Sequence, residues 1–284
     1  MDPEPRGAAG GGGHPGLMAR HVLVTGAASG IGAGICFAFA RLGDRLTGVD
    51  VRADALEEAL ARVSREHGVP TAGVVGDLAD SAVAERLVRD AWDREGPVDV
   101  LVNAAGIYPA TPFLAMTAAD WDRVQHVNVR APMLTTVCFG RRAVDAGRGG
   151  CVVNISSGAA LRARPGAAHY CSSKAAVEML TRSAAIELGP HGIRVNAVSP
   201  GFVEVDSQVN PVTPEYADAV AVNPLGRRGQ PADIAAAVVW LASEAAAWIT
   251  GTVVRVDGGS SAGTTALPLH WPELTEVQRG TSLA

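Results

Sequence analysis

From Arg20 onward, hydrophobic and polar positions alternate between two textures. Short, nearly unbroken apolar runs recur: HVLV at His21–Val24, VDVLVN at Val98–Asn103 and CVVNIS at Cys151–Ser156. Such runs are too continuous for a sheet with one wet face and predict strands buried on both sides. Strands are predicted over His21–Thr25, Arg45–Asp50, Thr71–Gly76, Val98–Asn103, Gly150–Ser156, Ile193–Val198 and Thr252–Val256. Between them, stretches rich in Ala, Leu and Arg carry apolar residues at helical spacing. They predict helices over Gly30–Leu42, Ala53–His67, Ser81–Arg94, Ala118–Ala146, His169–Leu188 and Pro231–Ser243. The alternation predicts an α/β fold: one doubly wound domain of about seven parallel strands, helices on both faces, right-handed crossovers. That domain is expected over Arg20–Gly259. Residues 1–19, rich in glycine, read as a disordered lead-in. The tail Ser260–Ala284, with Leu267, Leu269 and Trp271, either packs on a neighbouring copy or stays partly disordered. The helices at Ala118–Ala146 and His169–Leu188 are apolar on more than one face, a pattern of helices that pair across a twofold axis.

Composition narrows the partners. Lys and Arg number 24 against 29 Asp and Glu, a net charge of −5 with no basic block, which argues against nucleic acid. No apolar run reaches the roughly 18 residues needed to span a bilayer. Met1–Gly16 lacks the apolar segment of a signal peptide, so a cytoplasmic protein is expected. The cysteines, Cys36, Cys138, Cys151 and Cys171, have no metal-ligand spacing and read as reduced thiols, with no metal expected. One fact is sharper: Lys174 is the only lysine among the 24 basic residues. Where charge alone is needed this chain uses arginine, so a surviving lysine marks a place where a compact ammonium is required.

Distinctive residues gather where strands end. Gly26, Gly30 and Gly32 follow the first strand, Asp50 the second, Asp77 the third, and Asn103 and Gly106 the fourth. Ser156 and Ser157 follow the fifth, Pro200 and Gly201 the sixth. In an open parallel sheet these carboxyl ends share one edge, where ligands bind. The loop Thr25–Gly32 lets the backbone turn sharply and approach a pyrophosphate at a helix N-terminus; alone it is equally a tight strand–helix turn. Asp50 tips the balance: a carboxylate there accepts the adenosine ribose hydroxyls and repels a 2′-phosphate, favouring NAD over NADP. Arg52, two positions on, is the one basic residue that could offset that phosphate. Tyr170 and Lys174, at i and i+4, share a helix face. A nearby ammonium favours the phenolate, making Tyr170 a usable proton donor and acceptor, and Ser157 can hydrogen-bond the reacting oxygen.

These motifs resemble those of the classical short-chain dehydrogenases/reductases, over about Arg20–Gly259. The matching stretches are TGAASGIG at Thr25–Gly32, GDL at Gly76–Leu78, NAAG at Asn103–Gly106 and YCSSK at Tyr170–Lys174. Asn128 in HVNV, Ser157 in NISS, PG at Pro200–Gly201 and TGTVVRVDGG at Thr250–Gly259 complete the set. The resemblance implies a Rossmann-type fold, a homodimer or homotetramer, and hydride transfer between a nicotinamide cofactor and a small secondary alcohol or ketone. It assigns Tyr170 as acid/base and Ser157 as the residue that polarises the substrate carbonyl. Lys174 would hold the nicotinamide ribose, and Asn128 a water of the proton relay. Cofactor contacts would come from Gly26, Ser29, Gly30, Ile31, Gly32, Asp50, Asp77, Leu78, Asn103, Ala104, Gly106, Tyr170, Lys174, Pro200, Gly201 and the backbone of Val203. One departure stands out: Val205 occupies the position of the family's usual threonine, with Ser207 two residues on as a stand-in. Val205–Leu225 is expected as a mobile substrate loop. Tyr108, Leu161, His169 and Gln208 are candidate pocket residues, with ordinary packing an equal alternative for Tyr108 and His169. NAD-dependent alcohol oxidation is the leading expectation. An NADP-dependent 3-oxoacyl-thioester reductase comes second, and a non-catalytic dinucleotide sensor last.

Overall fold

The computed structural model describes residues 19–205 and 212–263. The expectations for Ser207, Gln208 and the tail residues Leu267, Leu269 and Trp271 lie outside the described residues.

The seven strands are β1 (His21–Thr25), β2 (Arg45–Asp50), β3 (Thr71–Val75), β4 (Val100–Asn103), β5 (Gly150–Ile155), β6 (Ile193–Pro200) and β7 (Val253–Val256). All pair in parallel in the order β3-β2-β1-β4-β5-β6-β7. The winding direction reverses between β1 and β4, which opens a crevice at their carboxyl ends. Eight α-helices accompany the sheet among the described residues: α1 (Gly30–Ala40), α2 (Ala53–His67), α3 (Ser81–Glu95), α4 (Ala118–Gln125), α5 (Ala131–Asp145), α6 (Ala168–Leu188), α7 (Pro214–Val220) and α8 (Pro231–Leu241).

The continuous apolar runs have a simple cause. Successive strand side chains point to opposite faces, and both faces are covered. Val22, Val24, Val100, Val102 and Val153 pack with Ile35 and Phe39 of α1, Leu56 and Leu60 of α2, and Ile234, Val238 and Leu241 of α8. Their neighbours Leu23, Leu101, Val152 and Val195 face the other way, onto Leu87 and Val88 of α3, Phe139 and Ala143 of α5, and Ala185 of α6.

Two local expectations change. The helix expected over Ala118–Ala146 runs on through α4, a π-helical turn at His126–Arg130 and α5, all in helical backbone conformation, and within that turn the Ala131 N–H bonds the His126 carbonyl five residues back. Pro132 explains the widened ladder: it has no N–H to return to the carbonyl four residues back, that of Asn128. The segment expected as a loop over Val205–Leu225 contains α7. Thr213 caps that helix, its hydroxyl accepting from the Tyr216 N–H at 3.2 Å, and Pro214 opens it.

Candidate active site

The carboxyl edge brings most of the expected residues together. Gly26 (φ +70°) and Gly30 (φ +54°) adopt conformations costly for any side chain. A Cβ on Gly26 would lie 2.9 Å from the Ala105 backbone, and one on Gly32 2.0 Å from the Gly26 carbonyl oxygen. The NAAG turn is pinned against this loop: the Thr25 hydroxyl accepts from the N–H groups of Ala104 and Ala105 at 3.1 and 3.2 Å. α1 begins beside Ile31 with no acidic residue in its first turn and no side-chain cap. Its N-terminus therefore faces the crevice as a positive dipole end suited to a phosphate.

Asp50 ends β2 almost fully buried, and its carboxylate is shared. One oxygen accepts from the Ala28 N–H at 3.1 Å; the other accepts from the Arg52 N–H at 3.1 Å and the Arg52 guanidinium at 3.3 Å. The same guanidinium donates to Ser29 Oγ at 2.7 Å. Arg52 thus bridges Asp50 to the glycine loop, although sequence distance alone had set it apart. After β3, Asp77 accepts from the Ala79 N–H at 2.8 Å and Leu78 packs into the core.

Asn103 departs from its expected place facing the cleft. Its amide donates to Asn154 Oδ1 at 2.9 Å, and its oxygen accepts from the Thr135 hydroxyl at 2.8 Å. Asn154 donates onward to Thr181 at 3.0 Å. This buried network ties β4 and β5 to α5 and α6 and fixes the strand end that carries Ala104–Gly106, so Asn103 bears on the crevice only at one remove.

The proton-handling candidates sit beside it. Ser157 follows β5 and caps a short turn, its hydroxyl accepting from the Ala159 N–H at 3.1 Å. Tyr170 and Lys174 lie one turn apart on α6. Lys174 is 5% exposed, its Nζ donating to the Ile155 carbonyl at 2.8 Å and lying 5.8 Å from the centre of the Tyr170 ring. Burial pulls the Lys174 ammonium down to about 8. Burial also pushes the Tyr170 phenol above its ordinary value, while a hydrogen bond with Ser157 and the Arg164 charge pull it down. The expected lowering of the phenol by Lys174 is therefore corrected: burial wins, and the opposing pull comes from Ser157 and Arg164.

Asn128, in the wide turn, has its side chain committed. Its Oδ1 accepts from the Ile107 N–H at 2.9 Å, and its Nδ2 donates to the Ile107 carbonyl at 2.9 Å and to Ser173 Oγ at 3.1 Å. It clamps the segment after NAAG onto α6. A Cβ on Gly106 would lie 3.4 Å from Asn128 Oδ1 and 3.5 Å from Lys174 Nζ, so a glycine keeps this polar recess open.

On the far side, Pro200 ends β6 paired with Val256, and Gly201 abuts Asp257 so closely that a Cβ would lie 2.8 Å from its backbone. Val203 pairs with Gly229, and the Val205 side chain lies 3.2 Å from where a Gly30 Cβ would stand. The residue in the usual threonine position thus closes over the glycine loop with an apolar group.

Of the pocket candidates, Tyr108 lies beside Tyr170, the rings tilted by 56° with centres 5.7 Å apart, and Leu161 is exposed. His169 is a core residue instead of a pocket lining: its ring is fully buried, and Nδ1 accepts from the Tyr170 N–H at 2.9 Å. Sequence reasoning missed Arg164, whose guanidinium carbon lies 5.6 Å from the Tyr170 ring centre, and Tyr216, whose hydroxyl accepts from Arg164 at 2.8 Å. A cation between Ser157 and Tyr170 was the available signal. Among the described residues no cluster of metal-ligating side chains occurs, and no helix is long and apolar enough to cross a membrane.

Comparison with known proteins agrees with this geometry. The family model described as enoyl-(acyl carrier protein) reductase matches residues 26–261. D-threitol dehydrogenase of Mycolicibacterium smegmatis is 37% identical over 244 residues, covering 86% of this chain and 93% of that protein. Galactitol 2-dehydrogenase (L-tagatose-forming) of Cereibacter sphaeroides is 40% identical over 243 residues, covering 83% and 92%. The solved structure of 4-hydroxyisoleucine dehydrogenase complexed with NADH superposes with a TM-score of 0.76 at 30% identity, covering 86% of this chain and all of that one. On its parallel sheet, its crevice motifs and these matches, the chain belongs to the classical short-chain dehydrogenase/reductase family.

Proposed function

We propose that this protein is an NAD-dependent dehydrogenase that oxidises a secondary alcohol on a small polyhydroxylated molecule. The observation that carries the reading is the placement of Ser157, Tyr170 and Lys174 against the glycine cradle at one sheet edge. The cradle fits a dinucleotide: Gly26, Gly30 and Gly32 leave the space that Cβ atoms would fill, and α1 presents a bare N-terminus. Gly26–Gly32 would hold the pyrophosphate, Asp50 the adenosine ribose, Lys174 the nicotinamide ribose and the Val203 backbone the carboxamide. When bound, the cofactor supplies the hydride acceptor, and no metal is needed.

The chain's own residues supply orientation and a proton path. Ser157 holds the substrate oxygen by a hydrogen bond. The Tyr170 phenolate oxygen takes the hydroxyl proton as that oxygen becomes a carbonyl, and Lys174 keeps positive charge beside the phenolate. Asn128 fixes the Ile107 backbone beside the recess with its side chain, and its backbone carbonyl, to which Pro132 offers no N–H, is the group left to hold the water of the proton relay. The names of the threitol and galactitol dehydrogenases support a polyol-like substrate.

A second cofactor reading has its own observation. Arg52 reaches Ser29 at 2.7 Å and places a guanidinium at the adenosine end, where it could meet a 2′-phosphate. We favour NAD because Arg52 is already neutralised by the Asp50 carboxylate. The test follows absorbance at 340 nm on mixing the protein with a panel of secondary alcohols and polyols and either NAD or NADP. Reduction of NAD with at least tenfold higher kcat/KM than NADP is expected; preference for NADP moves the 3-oxoacyl reductase reading to the front, and reduction of neither sinks the dehydrogenase reading.

A further inference from the structure

Arg164 is unusual among the arginines around the crevice. Arg52, Arg227 and Arg228 each pair with a carboxylate. Among the described residues Arg164 has no carboxylate within 4 Å, and its guanidinium makes one hydrogen bond, from Nη1 to the Tyr216 hydroxyl. Its Nε is buried without a hydrogen-bond partner. A guanidinium carries five N–H donors in a fixed fork; here Nε is buried, while the half-buried side chain keeps other donors open to an anion.

The residue is also held still. It sits on the turn between Ser157 and Tyr170, where Gly166 takes φ +70°. The Thr111 N–H donates to the Gly166 carbonyl at 2.8 Å, and the Ala167 N–H to that of Arg164 at 3.2 Å. From the other side Tyr216, in the first turn of α7, braces the guanidinium. The result is a positioned cation within 5.6 Å of the ring of the proton-handling tyrosine.

We propose that Arg164, braced by Tyr216, anchors a carboxylate on the substrate, so that the secondary alcohol oxidised here belongs to a hydroxy acid. The proposal rests on the dehydrogenase reading above and deepens it. The planar fork matches the two oxygens of a carboxylate. One unneutralised guanidinium suits a single negative charge better than a phosphate ester, because neighbouring Arg162 is engaged with the Ser260 carbonyl at 2.9 Å.

The test uses pairs that differ only in a terminal carboxylate or its CH2OH counterpart: 3-hydroxybutyrate and 1,3-butanediol, threonate and threitol, gluconate and sorbitol. The expected result is that the acid of at least one pair exceeds its alcohol by tenfold or more in kcat/KM. Arg164→Gln should then cost that acid about ten- to a hundredfold more than its alcohol counterpart, chiefly in KM, while the loss shared by both members reports the missing pull on the Tyr170 phenol. Arg164→Lys should recover part of the loss. Three results would overturn the proposal: the alcohol matching or exceeding the acid in every pair, Arg164→Gln slowing both members alike, or sorbitol 6-phosphate outperforming gluconate in an Arg164-dependent way. The second would assign the cation to the Tyr170 ring alone.

A melt titration with the same acids, with and without NADH, separates this proposal from the dehydrogenase reading. If no compound is oxidised, an acid-specific shift that vanishes in Arg164→Gln keeps the anchor and sinks the dehydrogenase reading. Absence of any such shift sinks the anchor.

Discussion

Replacing Tyr170 with phenylalanine will lower turnover by about 100- to 10,000-fold, the usual contribution of a positioned acid/base, while NADH affinity stays unchanged. The substitution removes one oxygen and keeps the ring, so contacts with Tyr108 and Arg164 persist. What disappears is the phenol oxygen that takes the hydroxyl proton in the proposed step. Steady-state kinetics and a fluorescence titration with NADH, run on the same preparation, separate the two effects. Full turnover would rule out Tyr170 as the base; lost NADH binding would make its role structural. In the wild-type protein, burial pushes the phenol upward. Alcohol oxidation, which needs the deprotonated form, should therefore accelerate as pH rises from 6 to 8.

Lys174→Met carries the second large effect, in two measurements. Loss of the ammonium beside the phenol should lower turnover on the order of 100-fold, comparable to removing one preorganised donor. Stability should respond in a way that identifies the charge itself. In the folded protein burial lowers Lys174 from 10.5 to about 8, so between those values the unfolded chain binds the extra proton. Stability must then rise with pH across that window, and the burial cost is fully present below it. A difference of 2.5 pK units corresponds to about 3 kcal/mol. Urea denaturation at pH 7.5 and at pH 10.5 should show that rise in the wild-type protein and its absence in Lys174→Met. Parallel pH dependence in both proteins would mean that Lys174 is not the desolvated ammonium described here.

The strands were legible because both sheet faces are covered, so Leu23 and its neighbours Val22 and Val24 are all apolar although they point opposite ways. The convergence of glycines, Asp50, Ser157 and Tyr170 on one edge followed from parallel topology alone. Other features depend on contacts between distant segments, which periodicity does not encode. Asn103 looked like a cleft residue because it ends a strand; its partners Thr135 and Asn154 are more than 30 residues away. The π turn before α5 was readable from Pro132, whose missing N–H widens the ladder while the helix continues across it. Arg164 next to Pro165 reads as an ordinary surface turn, and only the packing of α7 brings Tyr216 onto it. For His169, left open between pocket and packing, the structure decides for packing: adjacent helical residues point about 100° apart, so it turns into the core while Tyr170 faces the crevice.

The most direct test is a pair of thermal-melt titrations, one with NADH and one with NADPH. At about a hundredfold its dissociation constant a bound cofactor contributes roughly 2.7 kcal/mol, which raises the midpoint measurably. The expected result is a saturable shift with NADH at lower concentration than with NADPH, weakened in Asp50→Ala. A larger response to NADPH would place Arg52 over Asp50 at the adenosine end, and no response to either would contradict the assignment of this crevice to a nicotinamide dinucleotide.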